Sequence, residues 1–258
     1  MAAAALADLQ EQALHCRNCP LWADATQTVF GEGPETAAVM FVGEAPGDQE
    51  DRQGRPFVGP AGQLFDRALG EAGIERREVY VTNAVKHFKF TLRGKRRIHQ
   101  KPDTGEITAC KPWLFREIEL VQPRLIVAMG ATAAYALMGR TVTIGRERGR
   151  FQPYPPDRHL FVTVHPSFLL RVPDERAQAM EYRRFVEELR TIGEGPPPAE
   201  PVGPAPEETI AAEPVKVAKR TAPAAAPEPE PPAAAAPAEP RPRRGRKASG
   251  GGGQYSLF

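Results

Sequence analysis

Apolar residues recur along the first three-quarters of the chain in two rhythms. Residues 3–15 carry Leu6, Leu9, Ala13 and Leu14 near helical spacing, whereas 37–43 (AAVMFVG) is a continuous apolar run ending in glycine, as a buried strand does. Residues 60–73 open on proline and close on glycine, with Leu64, Phe65, Ala68 and Leu69 on one face, which predicts a helix. Further strands are predicted at 79–85 (VYVTNAV), 124–130 (RLIVAMG) and 159–165 (HLFVTVH). Further helices are predicted at 106–121, with Ile107, Cys110, Leu114 and Ile118 on one side, at 131–138 and at 174–192. Strand and helix alternate with little hairpin signal, which predicts an α/β fold whose mostly parallel sheet is covered on both faces. Sites in such sheets form beyond the carboxyl ends of the strands. The segments standing there are GEAPG (43–47), TNAVKHF (82–88) and HPS (165–167).

Composition divides the chain. Residues 194–258 hold 15 of the 28 prolines and only two aromatics, Tyr255 and Phe258. Such a stretch buries too little apolar area to offset chain entropy, so a disordered tail is expected. Residues 1–193 are long enough for one domain with a sizeable core. The net charge of +2 points to no partner. Asp8 and Glu11 sit among the first alanines, which argues against a secretory signal. The longest apolar stretch, 125–139, is short and interrupted by glycine, so no membrane span is expected. Three cysteines suit a disulfide framework poorly, and a reducing compartment is expected.

Cys16 and Cys19 form a CxxC, and Cys110 stands far downstream. A redox pair belongs at a strand-to-helix junction, but this CxxC follows the first helix and precedes Pro20. A metal or cluster needs a fourth ligand, for which His87, 23 positions before Cys110, is the best candidate. A Cys₃His zinc site and an iron–sulfur site both remain open on these residues, as does a core role for Cys110 and a surface role for His87.

Between 86 and 102 stand seven cations and no acid: Lys86, Lys89, Arg93, Lys95, Arg96, Arg97 and Lys101. With Phe88 and Phe90 interleaved, the segment reads as a nucleic-acid-binding loop beside the sheet mouth. A merely solvated charge run is the alternative. His99 lies among these cations, which would favour its neutral, nucleophilic form.

Three motifs, GEAPGDQEDRQGRPFVGPAGQLFDRAL (43–69), TNAVK (82–86) and HPSFLLR (165–171), together resemble the uracil-DNA glycosylase superfamily, specifically its iron–sulfur family-four type. The resemblance covers roughly residues 6–190. It implies a three-layer α/β/α sandwich with a central four-stranded, mostly parallel sheet, and a [4Fe–4S] cluster. Cys16, Cys19 and Cys110 match three of the family's four cysteine ligands, and His87 stands where another cysteine is usual. His87 and the extra residues before Cys110, which include KRRIH (95–99), are similar to the UdgX branch, whose members bond covalently to uracil-containing DNA through the histidine of that loop. The resemblance therefore implies Cys₃His ligation, with zinc the lesser alternative, and a crosslinked product. That branch often carries GEQPG; Ala45 replaces the glutamine here.

The resemblance also implies roles. A glycosylase takes its base from single-stranded DNA or flips it out of a duplex. Phe57 would stack on the uracil, and the Asn83 amide would pair with O4 and N3–H. His165 would donate to O2 as charge develops on the leaving base. Glu44 would stabilise the cationic sugar, orient a water or polarise His99, and His99 would bond to C1′. Gly43, Ala45, Lys95, Arg96, Arg97, Ser167 and Arg171 are further candidates for contact with uracil or DNA. The implied protein is a DNA-repair monomer of the cytoplasm, nucleoid-associated when bound to DNA. A conventional turnover glycosylase and a non-catalytic DNA-binding adaptor are the competing readings.

In the tail, RPRRGRK (241–247) offers five cations for a weak DNA contact. The terminal QYSLF resembles the short bacterial motif that binds the sliding clamp, with Gln254, Leu257 and Phe258 as anchors on a flexible linker.

Overall fold

The computed structural model describes residues 2–196. The tail motifs RPRRGRK and QYSLF, with Gln254, Leu257 and Phe258, lie outside the described residues. In chain order the elements are α1 (Ala2–Leu14), β1 (Val39–Gly43), α2 (Asp48–Gln53), α3 (Pro60–Ala72), β2 (Tyr80–Asn83), β3 (Phe90–Arg93) and β4 (Arg96–His99). They continue with α4 (Thr104–Val121), β5 (Leu125–Met129), α5 (Ala131–Met138), α6 (Ile144–Glu147), β6 (Phe151–Tyr154), β7 (Arg158–Thr163), α7 (Pro166–Leu169) and α8 (Glu175–Glu194). No described helix is long and apolar enough to cross a membrane.

The main sheet has five strands in the order β2-β1-β5-β7-β6. The first four are parallel, with Met40 opposite Tyr80 and Ile126, and Ile126 opposite Leu160. Alternation along these strands divides the core. Met40, Val42, Ile126, Ala128, Leu160 and Val162 share one cluster with Ile107, Leu114 and Ile118 of α4 and Ala133 and Leu137 of α5. Phe41, Val81, Val127 and Phe161 point the other way, onto Phe65 and Leu69 of α3 and Phe185 and Leu189 of α8. The result is the expected three-layer α/β/α sandwich.

Two expectations need correction. The sheet is five-stranded, not four-stranded, because β6 adds an antiparallel edge that pairs Phe151 with Phe161 and Tyr154 with Arg158. Pro153 hides this strand in the sequence, and an edge is the position where proline is tolerated. The basic segment is not a loop throughout. β3 and β4 form a separate antiparallel hairpin, in which Phe90 faces His99 and Arg93 faces Arg96. Gly94, at φ 60°, opens its two-residue turn, the backbone a tight hairpin asks of its first central residue.

Chain order also locates a crevice. After β1 the chain builds β2 on one side of it, then crosses to place β5 on the other side. That reversal between β1 and β5 is where open α/β sheets open a cleft at their carboxyl ends.

Candidate active site

At those carboxyl ends lies a cavity of about 480 Å³ whose lining includes Glu44, Ala45, Phe57, Asn83, His99, His165, Ser167 and Arg171. Residues from three motifs far apart in sequence thus meet in one space. Gly43 serves by being small: a Cβ there would fall 2.4 Å from Asn83 Oδ1 and 2.5 Å from Phe57 Cζ. Only glycine lets the amide and the phenyl ring converge.

Phe57 is held in the left-handed region at φ 57°, which is costly for a bulky residue. Two residues outside the expected set maintain it. Glu50 accepts from Gly47 N–H at 3.1 Å and Gly59 N–H at 2.7 Å, tying the loop after β1 to the turn that carries Phe57. Gly62 lies directly beneath, where a Cβ would sit 1.8 Å from the Phe57 carbonyl oxygen.

Among the described residues three buried side-chain polar atoms lack a hydrogen-bond partner, and two of them, Asn83 Oδ1 and His165 Nε2, belong to this cavity. Native structures leave few such groups unpaired, so each calls for an explanation. The histidine's proton is located by its neighbours. His165 Nδ1 accepts from Ser167 N–H at 3.2 Å and lies 2.8 Å from Ser167 Oγ, so Nε2 carries the hydrogen. Burial first, then His99 and Arg171, push the His165 pKa down to about 4, so the ring is neutral at pH 7. The cavity therefore presents one unpaired acceptor and one unpaired donor.

His99 stands at the end of β4, with Nε2 3.9 Å from Glu44 Oε1. The other Glu44 oxygen accepts from Thr132 Oγ1, at the start of α5, in a bond that spans the crevice between β1 and β5. The expected neutrality of His99 stands, but its cause differs. Partial burial is the largest influence lowering its pKa, although the side chain stays 41% exposed; Glu44 opposes it, and Arg171 rather than the hairpin cations assists.

Acids remote in sequence claim much of the positive segment. Lys86 is buried against Glu117, and Lys89 pairs with Asp103 and Glu106. Arg97 bonds to Asp48 Oδ1 at 2.5 Å and Asp51 Oδ2 at 2.6 Å, and its guanidinium lies 5.2 Å and 5.1 Å from the Phe88 and Phe90 ring centroids. Phe88 is itself buried, so it is no stacking platform. Arg93, Lys95, Arg96 and Lys101 stay exposed, with Lys95 and Arg96 at the hairpin tip and outside the cavity lining.

The four proposed ligands are all buried. Cys16, Cys19 and Cys110 are free thiols that lie near one another, since Cys19 and Cys16 both raise the pKa of Cys110. Burial is the main reason the Cys110 thiol is pushed up to about 12, and nearby Lys86 opposes it. Two N–H groups point at sulfur: Lys86 N–H donates to Cys110 Sγ at 3.2 Å, and Trp113 Nε1–H to Cys16 Sγ at 3.1 Å. His87 Nε2 lies 3.0 Å from Thr28 Oγ1, which itself donates to Ala13 O at 2.9 Å. With the hydroxyl proton so engaged, Nε2 is the donor and Nδ1 keeps its lone pair. Donors to the sulfurs and an oriented imidazole are the outer support a cluster's ligands require, so the residues fit the group. Among the described residues, no three His, Cys, Asp or Glu side chains are grouped to hold a single metal ion. A cluster asks less convergence, because its ligands bind separate irons.

These motifs, this fold and this cavity define a class. The profile of the uracil DNA glycosylase superfamily matches residues 30–190, and the chain belongs to that family. It is 38% identical over 179 residues to the type-4 uracil-DNA glycosylase of Thermotoga maritima, covering 69% of this chain and 87% of that protein. It is 36% identical over 192 residues to the type-4 enzyme of Sulfurisphaera tokodaii, covering 71% of this chain and 84% of that one. A type-5 uracil-DNA glycosylase from Pyrobaculum aerophilum is 36% identical over 121 residues, covering 41% of this chain and 50% of that one.

Proposed function

We propose that this protein excises uracil from DNA, taking the base from a single strand, and that His99 then captures the exposed sugar. The observation that carries the excision is the pair of unpartnered atoms in the cavity. Asn83 Oδ1 accepts from uracil N3–H, and His165 Nε2–H donates to O2. Cytosine has no hydrogen at N3, so it would leave the buried acceptor unpaired; a site built on such bonds rejects the analogue lacking them. Phe57 stacks on the ring.

The chemistry then follows. The bond between N1 and C1′ breaks with its electron pair on uracil, whose growing charge His165 stabilises without itself ionising. Positive charge at the sugar faces the Glu44 carboxylate. A lone pair of neutral His99 forms the new bond to C1′, and the resulting imidazolium loses its N–H proton to solvent. The product is a neutral N-alkylated imidazole with no easy leaving path. This branch of the reading rests on His99 lining the same cavity as Asn83 and His165. Glu44, 25% exposed, is also able to orient a water, which would give ordinary turnover instead.

A denaturing gel after mixing with a uracil-bearing single strand separates these outcomes. A retarded band in one-to-one yield with the protein, absent for His99→Ala, is expected. Free uracil in large excess over protein, with no band, would assign turnover, and no abasic product at all would remove the enzyme.

Cys16, Cys19, His87 and Cys110 would hold a [4Fe–4S] cluster, which when bound ties the end of α1 and the segment after β2 to α4. Purified protein is expected to absorb in the visible range and to carry iron and acid-labile sulfide in equal amounts. Zinc without sulfide would overturn the assignment.

A further inference from the structure

Beneath the base-recognition amide lies an ion pair that the reaction does not use. Lys86 is 1% exposed and Glu117, on α4, 0%. The ammonium group donates to Thr82 Oγ1 at 2.6 Å, to the main-chain carbonyl of Asn83 at 2.9 Å and to Glu117 Oε2, so all three of its hydrogens are engaged. Glu117 Oε1 accepts from Gly31 N–H, Tyr80 Oη–H and Thr82 Oγ1–H, each at 3.0 Å. The packing is close enough that a Cβ on Gly31 would lie 2.4 Å from both Glu117 and Tyr80.

A pair this deeply buried is weak support for stability, because the desolvation of two charges offsets most of their attraction and apolar residues of similar volume would serve as well. Its geometry points elsewhere. The lysine holds the carbonyl of the very residue whose side-chain oxygen is unpartnered in the cavity. Its own N–H binds Cys110 Sγ, one of the sulfurs of the buried ligand group, and Glu117 lies about two turns beyond Cys110 on α4.

We propose that Lys86, held by Glu117, is a positioning residue for base recognition: it clamps the Asn83 carbonyl so that the main chain there stays fixed and the Asn83 amide is presented to the base from one place. This rests on the reading that Asn83 recognises uracil. It adds a rigid path from α4 and its cysteine to the cavity. A main chain free to shift would carry the amide off the edge of the base, so the loss should fall on selectivity before it falls on folding.

The test is the full chain carrying Lys86→Met together with Glu117→Gln, which leaves no charge buried alone. The probe is binding to a single strand with one non-excisable 2′-fluoro-deoxyuridine, compared with the same strand bearing cytosine. The preference for the uracil strand is expected to fall tenfold or more, while visible absorption and the thermal midpoint change little. Thr82→Val, which removes one acceptor of the ammonium and leaves the ion pair intact, is expected to lower the preference about threefold and keeps the test decisive if the double variant does not fold. A parental preference that is unchanged in whichever variant folds overturns the inference alone. A parent with no preference overturns the uracil reading, and this inference with it.

Discussion

Exchanging His165 for leucine is expected to slow uracil release in a single turnover by about 10²–10³-fold, the usual loss when one preorganised donor to a developing anion is removed. The donor is ready before substrate arrives. Ser167 fixes the proton on Nε2, and burial keeps the ring neutral, with its pKa pushed down to about 4. No reorganisation is then needed as charge reaches the base. Leucine keeps the volume and loses the hydrogen, so binding of a non-excisable uracil strand should weaken far less than the rate. Rapid-quench measurement with protein in excess over DNA checks this. A rate within threefold of the parent would mean that another group carries the leaving charge.

Arg97→Met is the second large effect, and it acts through the hairpin. Arg97 is only 13% exposed, and its partner Asp51 is fully buried. Removing one member of a buried pair strands the other, which costs about 3–5 kcal/mol. For a domain of this size that corresponds to a fall of roughly 6–20 °C in the thermal midpoint. The same side chain fastens β4 to α2, two residues before His99. Adduct yield is therefore expected to fall well beyond the loss of folded protein, even when assayed well below the variant's own midpoint. Adding Asp51→Asn to Arg97→Met separates the two effects. Stability should recover in part as the stranded charge disappears, while adduct yield should stay low. Parental yield from either variant would show that His99 needs no such latch.

The second prediction turns on partners distant in the chain, Asp48 and Asp51, which is also where reading along the sequence reached its limit. The four parallel strands were legible, because each is a short run dominated by apolar residues and bounded by glycine, polar residues or a turn. Their carboxyl-end motifs were legible for the same reason, and the structure brings Glu44, Asn83 and His165 together there. The edge strand β6 was not legible, since Gln152, Pro153 and two further prolines after Tyr154 mask it and only pairing with β7 makes it a strand. The hairpin β3–β4 carried a usable signal in Gly94 between FTLR and RRIH, which the density of charge obscured. Glu50, Gly62 and Thr132 carried none, because their roles exist only against Gly59, Phe57 and Glu44.

What the sequence determined by itself is the class of fold, the family and the set of side chains at the mouth of the sheet. Periodicity and motif order are properties of neighbours along the chain, and they survive without coordinates. Tertiary structure alone decided which of seven cations remain open to solvent, why His99 is neutral, and which nitrogen of His165 holds the proton. The first two depend on burial and on partners far along the chain, the third on the turn that folds Ser167 back onto the ring, and the free energy of a charge or a hydrogen bond is set by what surrounds it in space.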